Sequence, residues 1–152
     1  MSRGRRPPAV ELCVGAVAVS EGRLLLVRRA QEPGLGRWSV PGGRVEPGET
    51  VADAVVRELA EETGVVGTCG PLLGWVERID AERHFVILDL RVEVDAHDRL
   101  AVAGGDAEEA AWVALAEVPT LALVDGLADF LIEHSVLETR VSDPSTRGRA
   151  SR

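Results

Sequence analysis

Apolar positions along the chain fall into short runs, and their spacing sorts them into strands and two helices. Residues 12–19 (LCVGAVAV) are rich in Val and Ala and read as a buried strand. Glu21-Gly22 is a turn signal, and residues 23–29 (RLLLVRR) read as the second strand of a hairpin. A short strand is expected at 38–40. Residues 41–50 (PGGRVEPGET) hold three Gly and two Pro and read as a loop. Apolar residues at 51, 55, 56 and 59 then form one stripe, which predicts an amphipathic helix over 51–63. Thr50 can cap its start, with Asp53 three residues on, and Gly64 ends it. Further strands are expected at 72–79, 84–94 and 110–113, around a polar loop at 95–109. A second helix is expected over roughly 120–136, after Pro119. Mixed strands with two separated helices predict an α/β fold, an α/β/α sandwich with a mixed sheet.

Length and composition narrow this picture. The 152 residues suit one domain with a real core. We expect a flexible basic N-terminus at 1–9, a domain at 10–138 and a disordered tail at 139–152. No apolar run approaches the ~20 residues that span a bilayer, so no membrane partner is expected. Two cysteines, Cys13 and Cys69, are too few for a disulfide framework. Reduced thiols and a cytoplasmic location are the expectation.

Charge placement adds more. All 17 basic residues are Arg, and seven of them lie in the tails. The body, 9–138, carries ten Arg against 24 carboxylates, a net of −14. An acidic body argues against a nucleic-acid partner. It suits a site that gathers carboxylates around a divalent cation, although acidity also serves solubility alone.

The chemistry is concentrated in GRVEPGETVADAVVRELAEETGV, residues 43–65. Glu58, Glu61 and Glu62 stand at i, i+3 and i+4 of the predicted helix, so their Cβ atoms are about 5–6 Å apart. Three like charges on one face repel, and a cation offsets that cost. Mg²⁺ fits, because it takes oxygen ligands and bridges carboxylates to substrate phosphates. Glu49, on the loop, can face Arg57 and fix loop against helix. Taken alone, Arg57–Glu62 also reads as an ordinary solvated helix face.

The full spacing removes that ambiguity. It resembles the Nudix box, with Gly43, Glu49, Arg57, Glu58, Leu59, Glu61, Glu62, Gly64 and Val65 at its nine positions and no departure. Seven of these require one residue type, so chance agreement is on the order of 10⁻⁸ per window. LGRWSVPGG (35–43) and EEAAWVALAEVP (108–119) also look like the family's flanks, and the likeness spans about residues 11–135.

The resemblance implies metal-dependent hydrolysis of a nucleoside diphosphate linked to another group. The cofactor is Mg²⁺, with Mn²⁺ as the alternative ion. It makes Glu58 and Glu62 the main metal carboxylates and Glu61 a further ligand or the base. The Gly42 carbonyl becomes a main-chain ligand, with Arg57 and Glu49 as supports behind them. A distal base or ligand is sought among Asp106, Glu108 and Glu109. Arg28, Arg29 and Arg37 are candidates for substrate phosphates, and Trp38 for stacking on a base. Each of these flanking residues also has a plain structural reading. The small-molecule substrate is ADP-ribose or a similar nucleotide sugar. The alternative is a nucleoside triphosphate of the oxidised-dGTP type, cut by a MutT-like pyrophosphohydrolase. A non-catalytic nucleotide sensor is a third reading, but it expects lost box glutamates, and all are present here. Dimers are common in the family, so a homodimer is part of the expectation.

Overall fold

A computed structural model describes residues 4–95, 97 and 99–139. In order the elements are β1 (Val10–Val17), β2 (Val19–Ser20), β3 (Arg23–Arg29), β4 (Trp38–Ser39) and β5 (Gly42–Arg44). Then come α1 (Val51–Thr63), β6 (Gly67–Ile79), β7 (His84–Val94), β8 (Ala107–Ala114), a 3₁₀ turn (Val118–Thr120) and α2 (Leu127–Glu133).

Two sheets form. One has the order β5-β1-β7-β6 and is mixed: β1 runs parallel to β7, while β5 and β6 pair antiparallel at the two edges. The other is built on β3, which pairs antiparallel with β2, β4 and β8. Strand side chains alternate between faces, and here both faces are covered. Val14, Ala16, Ala18 and Leu25 pack with Ala54, Val55 and Leu59 of α1 in one core. Val17, Leu24 and Leu26 pack with Leu127, Phe130 and Leu131 of α2 in a second core. One helix on each side makes the expected α/β/α sandwich with a mixed sheet.

Helix α1 forms where the stripe predicted it. Thr50 is extended (φ −73°, ψ 156°) and its hydroxyl accepts from Asp53 N at 3.0 Å. Gly64 is left-handed at φ 70° and its N–H donates to the Ala60 carbonyl. Both caps satisfy groups that the helix ends would otherwise leave open.

Other boundaries differ from the pattern. Only β2 forms the hairpin with β3, across the Glu21-Gly22 turn, where both φ angles are positive. The longer β1 leaves to pair with β7. The PGGR segment, read as loop, contributes β5, because Gly42 and Gly43 are small enough to lie against β1. Strand β6 starts at Gly67, with register shifts at Cys69/Leu72 and Leu72/Gly74 that break its alternation. Strand β8 starts at Ala107, inside the segment read as loop, since the β3 ladder recruits its polar residues. The last helix is only Leu127–Glu133, because Leu123 bridges to Trp38 and holds the preceding chain extended. Residues 4–9 carry no helix or strand, and the tail from Arg140 on lies outside the described residues. Cys13 and Cys69 are free, half-buried thiols. No helix among the described residues is long and apolar enough to cross a membrane.

Candidate active site

The box residues meet where α1 faces β5. Leu59 and Thr63 anchor the helix face fully inside the core, and Glu58 and Glu62 precede them by one residue. One residue is about 100° around the helix, so both glutamates stand at the rim of the buried stripe, half-covered.

Arg57 organises the group. Its Nε and Nη2 hold both oxygens of Glu49 at 2.6 and 2.8 Å, a two-pronged contact that pins the loop to the helix. Its Nη1 reaches Glu58 at 2.9 Å and Glu61 at 3.2 Å, and Nη2 also donates to the Arg44 carbonyl at 3.0 Å. Glu49 accepts as well from Glu46 N at 3.1 Å. Its Arg57 partner holds the Glu49 carboxyl down to about 2. The same carboxylates push the Arg57 guanidinium further toward permanent charge.

Glu62 is different. Among the described residues no arginine bonds it; its partner is the Gly42 amide, at 3.2 Å. Burial, aided by Glu58 and Asp106, pushes its carboxyl up to about 7, against the opposing pull of Gly42 and Arg29. Burial also raises Glu58, although Arg57 resists. Gly43 explains the first box position. A Cβ there would lie 2.5 Å from the Glu58 carboxylate, so a larger residue would displace that carboxylate from its present place. Gly42 is equally confined, against the Val14 carbonyl.

Glu58, Glu62, Gly42 and Gly43 line one end of a cleft of about 1120 Å³, floored by β1 and β7. Of the proposed phosphate arginines, Arg29 and Arg37 line it. Arg29 Nε donates to the Pro33 carbonyl at 2.6 Å, and Arg37 Nη1 to the Leu123 carbonyl and Asp125 at 3.3 and 3.2 Å. Arg28 lies elsewhere, engaged by Glu109 at 2.7 Å and Glu108 at 3.4 Å across the β3–β8 pair. That contact also takes Glu108 and Glu109 away from the cleft. Trp38 packs on the α2-side core and does not line the cleft. Asp106 does line it and accepts from the Gln31 amide at 3.1 Å. It gets there because Val102 N and Gly104 N bond the Thr63 and Glu62 carbonyls, tying the acidic loop to the end of α1.

Sequence reasoning missed Asp89, a buried carboxyl in the floor of the same cleft. Burial pushes it up to about 6, with Arg78 opposing. The available signal was an ionisable residue amid the apolar run FVILDL. The cleft also reaches Arg78, Asp80, Arg83 and Phe85, whose ring lies 5.9 Å from the Arg83 guanidinium carbon.

The donor set suits a divalent cation. Glu58 and Glu62 offer hard oxygens, and their burial without an adequate counter-charge is what raises both pKa values. Arg57 draws Glu58 and Glu61 toward itself, and among the described residues no three Asp, Glu, His or Cys side chains converge on one point.

Fold and site together define an α/β/α sandwich enzyme with a carboxylate helix at one end of a sheet-floored cleft. The chain belongs to the Nudix family and is a Nudix hydrolase: the NUDIX domain model matches residues 10–133. It is 36% identical over 115 residues to an ADP-ribose pyrophosphatase of Methanocaldococcus jannaschii, covering 76% of this chain and 67% of that one. It is 34% identical to the CTP pyrophosphohydrolase of Escherichia coli, over 71% of this chain and 86% of that one. The MutT protein of Methanosarcina mazei superposes with a TM-score of 0.75 at 27% identity, over 88% of this chain and 97% of that one. The NUDIX domain of Shewanella oneidensis NrtR, solved with ADP ribose, gives 0.72 at 28% identity, over 84% and 87%.

Proposed function

We propose that this enzyme hydrolyses the diphosphate linkage of a nucleoside diphosphate derivative, with ADP-ribose or a similar nucleotide sugar as substrate. The observation that carries the reading is the cleft itself. It has carboxylates at one end and Arg29 and Arg37 along its wall, in a space of nucleotide size. The relative named as an ADP-ribose pyrophosphatase supports the choice of substrate.

Glu58 and Glu62, with the Gly42 carbonyl, would hold Mg²⁺. A bound divalent ion supplies charge for the phosphoryl oxygens and lowers the pKa of water. The chain's own residues do the rest. Arg57 and Glu49 fix the helix against the glycine loop, so the carboxylates keep their positions. Glu61, more exposed than its neighbours, takes the proton of the attacking water, or Asp106 does so from the facing loop. Arg29 and Arg37 orient the phosphates.

A second reading, a nucleoside triphosphate pyrophosphohydrolase, is favoured by the CTP pyrophosphohydrolase relative and the MutT structural neighbour. A panel of ADP-ribose, other nucleotide sugars, dinucleoside polyphosphates, CTP and 8-oxo-dGTP, with Mg²⁺ and product identification, separates the two. Release of AMP from ADP-ribose as the fastest reaction supports the first. Pyrophosphate release from a triphosphate as the fastest reaction refutes it.

A further inference from the structure

Asp89 lies in the middle of β7 and is 5% exposed. Buried carboxyls normally carry hydrogen bonds, because stripping one of water without replacement is costly. Among the described residues, none donates a hydrogen bond to Asp89. Arg78 acts on it only as a charge, and donates its own hydrogen bond to the Asp125 carbonyl, at 2.5 Å.

The carboxyl is aimed into the cleft. Asp89 sits between Gly15 of β1 and Gly74 of β6 in the sheet register. A Cβ on Gly15 would overlap the Asp89 Oδ1, so the carboxyl lies over Gly15. Gly15 pairs on its other side with Gly42, whose amide holds Glu62. Neighbouring strands are about 4.8 Å apart, which puts the Asp89 carboxyl roughly one strand from the glutamate end. It is a neighbour of that end and not a member: the charges acting on Glu62 are Glu58, Arg29 and Asp106.

Few groups fit there. A phosphate oxygen brings no donor and is repelled by a carboxylate. A hydroxyl both donates and accepts, so it bonds Asp89 in either protonation state. In a nucleoside diphosphate derivative the group next to the diphosphate is a sugar. We propose that Asp89 is a specificity-determining residue that receives a hydroxyl of the sugar joined to the scissile diphosphate. This rests on the function proposed above.

The test is kcat/KM for ADP-ribose and for its singly deoxygenated analogues, on wild type, Asp89→Asn and Asp89→Ala. Wild type should lose on the order of 10- to 100-fold on the analogue lacking the bonded hydroxyl, the scale for leaving a buried polar group unpaired. Asp89→Ala should cleave that analogue and ADP-ribose at similar rates, while Asp89→Asn, whose amide also bonds a hydroxyl, should keep part of the discrimination. Their melting temperatures should match or exceed wild type, since no hydrogen bond within the fold is lost. Equal relative losses on every analogue in wild type and Asp89→Ala would overturn the proposal. So would a tenfold fall in Mn²⁺ affinity by electron paramagnetic resonance titration of Asp89→Asn, which would make the residue a metal ligand. Wild type that cleaves only triphosphates would instead overturn the substrate reading beneath it.

Discussion

Glu62→Gln tests the most exposed link between stability and function in this enzyme. Burial pushes the Glu62 carboxyl from 4.5 to about 7. At about 1.4 kcal/mol per pH unit, the folded protein pays roughly 3 kcal/mol to ionise it when no cation is bound. Below about pH 4.5 the carboxyl is protonated in both folded and unfolded chains, and the cost is absent. Between 4.5 and about 7 the unfolded chain ionises freely while the folded one resists, so stability falls as pH rises. Above about 7 the whole penalty applies. Gln removes the charge, keeps an oxygen for the Gly42 amide, and adds a buried amide with its own smaller cost. A net gain of ~1–2 kcal/mol at pH 8 follows. At about 2–4 °C per kcal/mol for a domain of this size, the melting temperature should rise by roughly 2–8 °C in EDTA. The gain should vanish near pH 4.5. Saturating Mg²⁺ should raise the melting temperature of wild type and not of the variant, because only the ion's own site gains by mass action. Turnover should drop by at least ~10², the scale for losing a catalytic group. Calorimetry at the two pH values and a turnover assay are sufficient. A variant less stable than wild type at pH 8 in EDTA, or a gain of equal size at pH 4.5, would refute the reasoning.

Four further outcomes are expected. Arg57→Lys keeps the charge but loses the two-pronged grip on Glu49, so turnover should fall by about tenfold or more and unfolding free energy by ~1–3 kcal/mol; unchanged urea midpoint and turnover would contradict the role given to Arg57. Gly43→Ala places a methyl 2.5 Å from the Glu58 carboxylate, so kcat should fall at least about tenfold while circular dichroism stays native; wild-type kcat would show that Glu58 can move without cost. Leu59→Ala empties a fully buried position under the site and should cost ~2–5 kcal/mol by denaturant titration, and a loss under 1 kcal/mol would place the core elsewhere. Chelation with EDTA should abolish hydrolysis, with Mg²⁺ restoring it; activity that persists after thorough chelation would count against the metal role of Glu58 and Glu62.

Helix α1, its caps and its glutamate spacing were legible in the residues alone, because helix periodicity and capping act within a few positions of sequence. The Glu49–Arg57 contact was legible too, since loop and helix are neighbours along the chain. The sandwich followed from strand runs that cannot bury both faces without a layer on each side. Tertiary structure decided what local pattern cannot carry. Whether β1 stays with β3 or leaves for β7 depends on partners some 70 residues away. Asp106 enters the cleft, while Glu108 and Glu109 turn to Arg28, because the acidic loop is bonded to the far end of α1 and β8 to β3. Asp89 was invisible as a site residue, since its meaning lies in Gly15 on an adjacent strand leaving the space it fills. Short-range spacing thus set the carboxylate helix, and long-range pairing set which further residues line the cleft beside it.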